Sequence, residues 1–417
     1  MATSVEVGVF GKTATTTNGA TQDITTGFTP KAIIVWTGGS LAIEDTNNSY
    51  FQSYGFSDGT NNRVGTHTEG DNLATSDNSR YRNTSNCIAI ISAGASLTLE
   101  ASVTFAANKF TATWNTNTSG WTDLQCHYIV FGGSDITGVE AGTLTATTGT
   151  GTITITTSAA TQNITAGNGV LFVLGGSGDV ATTVLSNNKL QIGVTDGVSQ
   201  GTCATGGDDG EAALESYQAY SESKLYLEYN ETSGALQWDI SFAGFNASGF
   251  DITKNTAAGT ARAIEYLIIK GGQWDMGNET ALTAGTTKDT TTAFTPKGMI
   301  NFATLRTIAG NSRQDISLSI GAADGITETS CGISTNDTSD PTQTGCFSNN
   351  TKTIRIMDQA DGNAPTVNGE ADVTFGTNKF TADWTNLASS AWKFLWVVCG
   401  DEAAAAGFVH SYGVIIG

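Results

Sequence analysis

The stretch Phe28-Thr29-Pro30-Lys31 opens a module whose parts recur in the same order further along the chain. After it come the apolar run Ala32 to Trp36, the turn Gly55-Phe56-Ser57-Asp58-Gly59, the block Val103-Thr104-Phe105 with Asn108-Lys109-Phe110-Thr111-Ala112-Thr113-Trp114, and the closing run Ile129-Val130-Phe131-Gly132. A later copy starts at Phe294-Thr295-Pro296-Lys297 and runs through Asp324-Gly325, Val373-Thr374-Phe375 and Asn378-Lys379-Phe380-Thr381-Ala382-Asp383-Trp384 to Val397-Val398-Cys399-Gly400. Between them a worn copy keeps Thr161-Gln162-Asn163-Ile164-Thr165, Asp196-Gly197 and Ile268-Ile269-Lys270-Gly271, with Gly167-Asn168-Gly169 in place of the opening element. A chain of 417 residues therefore divides into three units of about 139 residues, a usual domain size, with expected bounds 1–137, 138–276 and 277–417.

The pattern within each unit is that of strands. Val5 to Phe10 alternates apolar with small or polar residues, and Pro30 and Pro296 sit where a missing N–H is tolerated, at the start of a core strand. Val103, Phe105, Phe110, Ala112 and Trp114 have the period of two strands joined by the tight turn Ala107-Asn108-Lys109, and Val373, Phe375, Phe380, Ala382 and Trp384 match them. In the middle unit Trp238, Ile240, Phe242, Phe250 and Ile252 keep the pattern with a longer connection. These aromatics are expected in the core. Tyr128 to Phe131, Tyr266 to Ile269 and Phe394 to Val398 are apolar on both faces, as strands within a packed sheet are. Only 211–215 and 401–406 look helical, and both are too short to organise the fold. The expected class is all-β, three tandem β-sandwich or jelly-roll-like repeats in one chain, closely packed because neither junction carries a Pro-rich or Ser-rich linker.

Composition narrows the function. Charged residues are only 14% of the chain and the net charge is −20, with no gathering of Lys and Arg, so binding to a nucleic-acid backbone is not expected. No apolar run is long enough to span a bilayer, and the first residues lack the pattern of a signal peptide. Residue usage poor in Lys and rich in Thr, Asn and Gly nonetheless resembles that of proteins working outside cells. A virion protein released by lysis is one way to satisfy both facts; a non-classical secretion route or removal of a leader would satisfy them too.

Chemistry is sparse. The three histidines, His67, His127 and His410, share no metal-binding spacing and recur in no second unit, and no Ser-His-Asp signature is present. The six cysteines are too few for a disulfide framework; Cys126 and Cys399 read as small buried hydrophobes, Cys203 and Cys331 fall at matching positions, and a bridge between Cys331 and Cys346 is one option. Asp58, Asp196 and Asp324 each begin an Asp-Gly turn. Long polar loops are expected at Thr66 to Thr84, Gly201 to Glu215 and Ser330 to Asn350, carrying Asp71 and Asp77, then Asp208, Asp209 and Glu211, then Asp337 and Asp340. Solvated loops are the plain reading of these carboxylates and calcium the sharper one; a carboxylate-based glycosidase is a third functional reading. Catalytic, cofactor and metal residues are all expected to be none. Trp121, Trp274 and Trp392 cap the sandwiches or, in a lectin-like protein, form platforms for a host-surface glycan. Sequons occur at Asn83, Asn163, Asn230 and Asn278.

The opening element, the Gly-Phe-Ser-Asp-Gly turn and the block from Asn108 to Trp114 together resemble repeats of virion proteins of tailed bacteriophages. That resemblance implies a non-enzymatic particle-surface protein, a head decoration, head fibre or tail-associated subunit, located on the virion and partnered by capsid or tail proteins. Three fused units would then imitate a trimer on a three-fold seat. The alternative is a lectin-like receptor-binding or glycan-binding protein acting through the long loops.

Overall fold

The computed structural model describes residues 2–401 except 93, 119, 177–181, 213–214, 231–232, 258, 308, 311–312, 337–340 and 359–364. The chain is all-β: among the described residues one 3-10 turn, Ala159–Thr161, is the whole helical content. Glu211, Ala212 and Glu215 are not helical, and 402–406, the rest of the second expected helical piece, lie outside the described residues together with Asp337, Asp340 and His410.

The strands form three seven-stranded and three four-stranded antiparallel sheets. In the first large sheet Thr3–Gly11, Gln125–Gly133, Pro30–Thr37, Tyr50–Ser57, Asn62–Glu69 and Asn78–Asn83 lie side by side in that order. The small sheet facing it is Ala20–Thr25, Lys109–Asn117, Ser96–Ala106 and Ile88–Ser92. The same order recurs from Ile136–Ala146 to Ser216–Ser221 and again from Gln273–Thr280 to Gln343–Asn349, each large sheet with its own small one. Sheet membership changes at Ser134-Asp135 and at Gly272, a few residues before 137 and 276, so those two positions fall inside first strands of the following sheets. Each pair of sheets is a sandwich. The outermost strands pair across the whole unit, Thr3 with Gly133, whereas Tyr50 to Asn83 form a run of local hairpins, so the pairing is not nested throughout as in a jelly roll.

The seventh strand of every large sheet comes from another sandwich. Leu185–Ser186 of the second completes the first sheet beside Arg80 and Ser79; Arg313–Gln314 of the third completes the second beside Gln218 and Tyr217; Asp45–Asn48 of the first completes the third beside Ser348 to Gly345. The three donations run in one direction and close on themselves, making a ring rather than a string of beads.

Closure explains the apolar double-faced strands. Val130 and Tyr128 face the small sheet with Trp114, while Ile129 and Phe131 face a central core. That central core draws on all three sandwiches, with Trp36, Tyr54 and Phe56 meeting Phe172, Leu174 and Ile192 and then Ile300, Phe302 and Ile320. Trp114, Trp238 and Trp384 are buried in the three outer cores, as expected of them.

Two expectations need correction. The middle sandwich has no longer connection: Asn246 pairs with Gly249 as Ala106 pairs with Lys109, and a bulge between Phe242 and Gly244 absorbs the difference. Phe245, not Phe242, therefore stands where Phe105 stands. The long polar loops are also mostly strands, Asn62–Glu69, Gln200–Gly207 and Glu328–Asn336 with their partners, with a connection at 70–77 in the first sandwich. Their polar side chains are buried, some toward a neighbouring sandwich and others, such as Thr66 and Thr68, against strands of their own, so that they find hydrogen-bond partners instead of water.

Candidate functional site: the joints of the ring

Each Asp-Gly turn is a built element. Asp58 Oδ1 accepts the N–H groups of Thr60 (2.8 Å) and Asn61 (2.6 Å), Asp196 Oδ1 those of Val198 and Ser199, and Asp324 Oδ1 those of Ile326 and Thr327. The following glycines have φ of 87°, 88° and 84°, and an aromatic ring, Phe105, Phe245 or Phe375, lies where a Cβ would stand. The turns also bind across joints. Asp58 Oδ2 accepts the Ala141 N–H and Asp324 Oδ2 the Val7 N–H, both at 3.0 Å. At the remaining joint Asp196 faces Asp275, and burial together with that second carboxylate raises its pKa.

The acidic connections do the same work. Asp71 Oδ1 accepts the N–H of Thr344 in the third sandwich, and Asp209 Oδ1 accepts that of Asn78 in the first, each at 2.8 Å. Asp77 Oδ1 takes the Gly94 N–H. These carboxylates hold backbone donors, which is a structural assignment; among the described residues no group of His, Cys, Asp and Glu is placed to hold a metal ion.

Buried polar networks fill the joints. Between first and second sandwiches, Glu265 receives Arg82 (Nε, 2.8 Å), Arg63 (3.2 Å) and the Thr143 hydroxyl, and its pKa is still raised because burial outweighs its cationic partners. Asn188 donates to Tyr50 Oη (2.8 Å) and Asn78 Oδ1 (3.0 Å). Between second and third, Ser216 meets Thr335 (2.9 Å) and Lys393 meets Glu222 (2.8 Å). Between third and first, His127 stacks on Trp36 and bonds Ser348 Oγ (2.8 Å) and the Thr329 hydroxyl, while Trp36 Nε1 donates to Ile320 O (3.1 Å). His67 bonds Gln52 through Nε2 at 2.7 Å. Burial pushes both imidazoles down to about 3, so they are neutral hydrogen-bonding groups.

Trp274 is buried, packs on Phe131 at 5.4 Å and donates Nε1 to Gly271 O, so it belongs to the central core and is no exposed platform. Trp121 and Trp392 cap their sandwiches, half-buried, with Nε1 donated to Thr98 and Asn368. All six cysteines are free and buried, Cys331 and Cys346 included; these two lie diagonally on adjacent strands, Cys346 opposite Ile333 and Cys331 opposite Ser348. The Asn83 amide already donates to Tyr81 and Glu100. Pattern reading missed the donated strands, because two to four residues pairing with a strand on another unit leave no local signal.

No protein-family model matches the chain, and neither a curated protein nor a solved structure matches it.

Proposed function

We propose that the chain is a non-enzymatic structural protein on the surface of a tailed-bacteriophage particle, seated at a three-fold or quasi-three-fold position. One observation carries this reading most: a single chain closes three like sandwiches into a ring through donated strands, which is the outline of a trimer in which the copies need not be identical. The polar side chains concentrated in the joints bond one another and backbone groups across the sandwiches, which agrees with a building role. Partners on this reading are capsid or tail proteins.

Quantitative peptide mass spectrometry of density-purified particles from the producing culture tests it. Abundance close to that of the major shell subunit assigns shell decoration, and abundance at the level of vertex or tail components assigns a fibre or tail part. Absence from particles overturns the proposal.

A further inference from the structure

The strand donated to the first sandwich brings an apolar plug: Val184 packs with Val64, Tyr81, Ala89, Ile91 and Leu97. The matching cluster of the second sandwich is Ala204, Ala219 and Leu227 with Tyr229, and the arm passing over it there is Ala309-Gly310. Gly310 is held on both sides, its N–H donating to Tyr220 O at 2.9 Å and its carbonyl accepting from Tyr229 Oη at 2.8 Å. The result is a pocket of about 480 Å³ at the joint of the second and third sandwiches, within the size range of small-molecule sites.

Its walls are of two kinds. Leu227, Ala235 and Leu236 are apolar, Leu227 nearly fully buried and Leu236 46% exposed, one of five exposed large hydrophobics among the described residues. Beside them Asp239, the cross-strand partner of Leu227, pairs through Oδ2 with Lys224 Nζ at 2.6 Å, and Ser221 and Ser223 also line the pocket. Asp239 also accepts from Thr256 (2.5 Å) and Asn255 (3.1 Å), which leaves about one lone-pair site free, and the ammonium keeps donors beyond its single carboxylate bond.

We propose that this pocket binds a neutral saccharide. Vicinal hydroxyls fit a carboxylate–ammonium pair, one donating to Asp239 and its neighbour accepting from Lys224, while the C–H face of a pyranose fits the exposed side chains of Ala235 and Leu236. A charged ligand fits less well, since the wall is already neutralised: an anion would compete with Asp239 for Lys224 and a cation would displace Lys224. The site does not depend on where the protein sits in a particle.

Saturation-transfer NMR on the full chain, with the methyl glycosides of glucose, galactose, mannose and N-acetylglucosamine as probes, tests the proposal. Leu236→Arg and Ser223→Trp, both at open positions of the wall, should weaken binding roughly tenfold or more while leaving the melting temperature unchanged. Transfer to at least one glycoside that falls in either folded variant supports the site. No transfer to any of them, or transfer undiminished in the variants, overturns it.

Discussion

A methyl group on Gly193 would stand 1.8 Å from the carbonyl oxygen of Leu225, and the matching glycines are as tight, Gly55 at 2.1 Å from Cys87 O and Gly321 at 1.7 Å from Thr353 O. At each of these places the chain entering the small sheet crosses directly over the large one, so backbone meets backbone. Gly193→Ala is expected to cost about 3 kcal/mol, the upper end for overpacking, whereas Gly149→Ala, with nothing within 4 Å, should be neutral; urea denaturation of the two compares them. Histidine gives a second outcome at this scale. An imidazole with its native pKa near 3, against an ordinary 6.5, binds fewer protons folded than unfolded, so its contribution is lost as pH falls below 6.5. The slope is about 1.4 kcal/mol per pH unit for each of His67 and His127. Glu265 and Glu328, with raised pKa values, favour the folded state as they protonate and oppose that trend nearer the ordinary carboxylate range. His127→Gln should therefore flatten the stability profile between pH 6.5 and 4.5, the ordinary values of the two groups, and a slope equal to wild type would remove the assignment. The Asp-Gly turns and the buried tryptophans were legible in sequence because their causes are local. The glycine requirement was not, since Leu225 lies far along the chain from Gly193.

At the scale of elements, burial decided what the sequence hid. Thr66 to Thr84 reads as polar loop until its neighbours are known; in the fold it begins inside the strand Asn62–Glu69, where Thr66 donates to Gln52 O (2.7 Å) and Thr68 to Tyr50 O (2.8 Å), and only Val64 is large and aliphatic. Hydropathy measures transfer to an apolar medium, and these residues transfer instead to a medium of other hydrogen-bonding groups. The donated strands are harder still to foresee. Asn47 lies two residues before Ser49, whose N–H reaches Thr344 O at 3.3 Å, so in an antiparallel ladder its own N–H also faces Gln343–Asn349. Asn47→Pro should cost about 1–3 kcal/mol by removing that donor. Hydrogen exchange is expected to locate the effect, with faster exchange across Gln343–Asn349 and no change across Gln200–Gly207, at a joint this substitution does not touch.

For the whole molecule, the ring makes each sandwich dependent on the other two. A sandwich cut out alone would lack the seventh strand of its large sheet and expose one full face of that sheet, the face that holds Trp36, Tyr54 and Phe56 in the first. Self-association does not repair the loss, because the central core is not interchangeable: Tyr54 packs edge-on against Phe302 at 6.1 Å, and three copies of the first sandwich would bring three Tyr54 and three Phe56 side chains together where isoleucine, valine and alanine now complete the fit. Fusion in one chain is what permits such asymmetry, since covalent order fixes which sandwich stands beside which. Residues 1–134 expressed alone are accordingly expected to be insoluble or polydisperse. The pieces 1–134, 135–271 and 272–417 produced together should instead assemble into one complex of equal proportions, held by the donated strands and the joints rather than by the two connections. Size-exclusion chromatography with light scattering and native mass spectrometry distinguishes these outcomes. A monodisperse, cooperatively melting 1–134 monomer would mean that the donated strands and central core contribute little, and that the sandwiches are independent domains in contact.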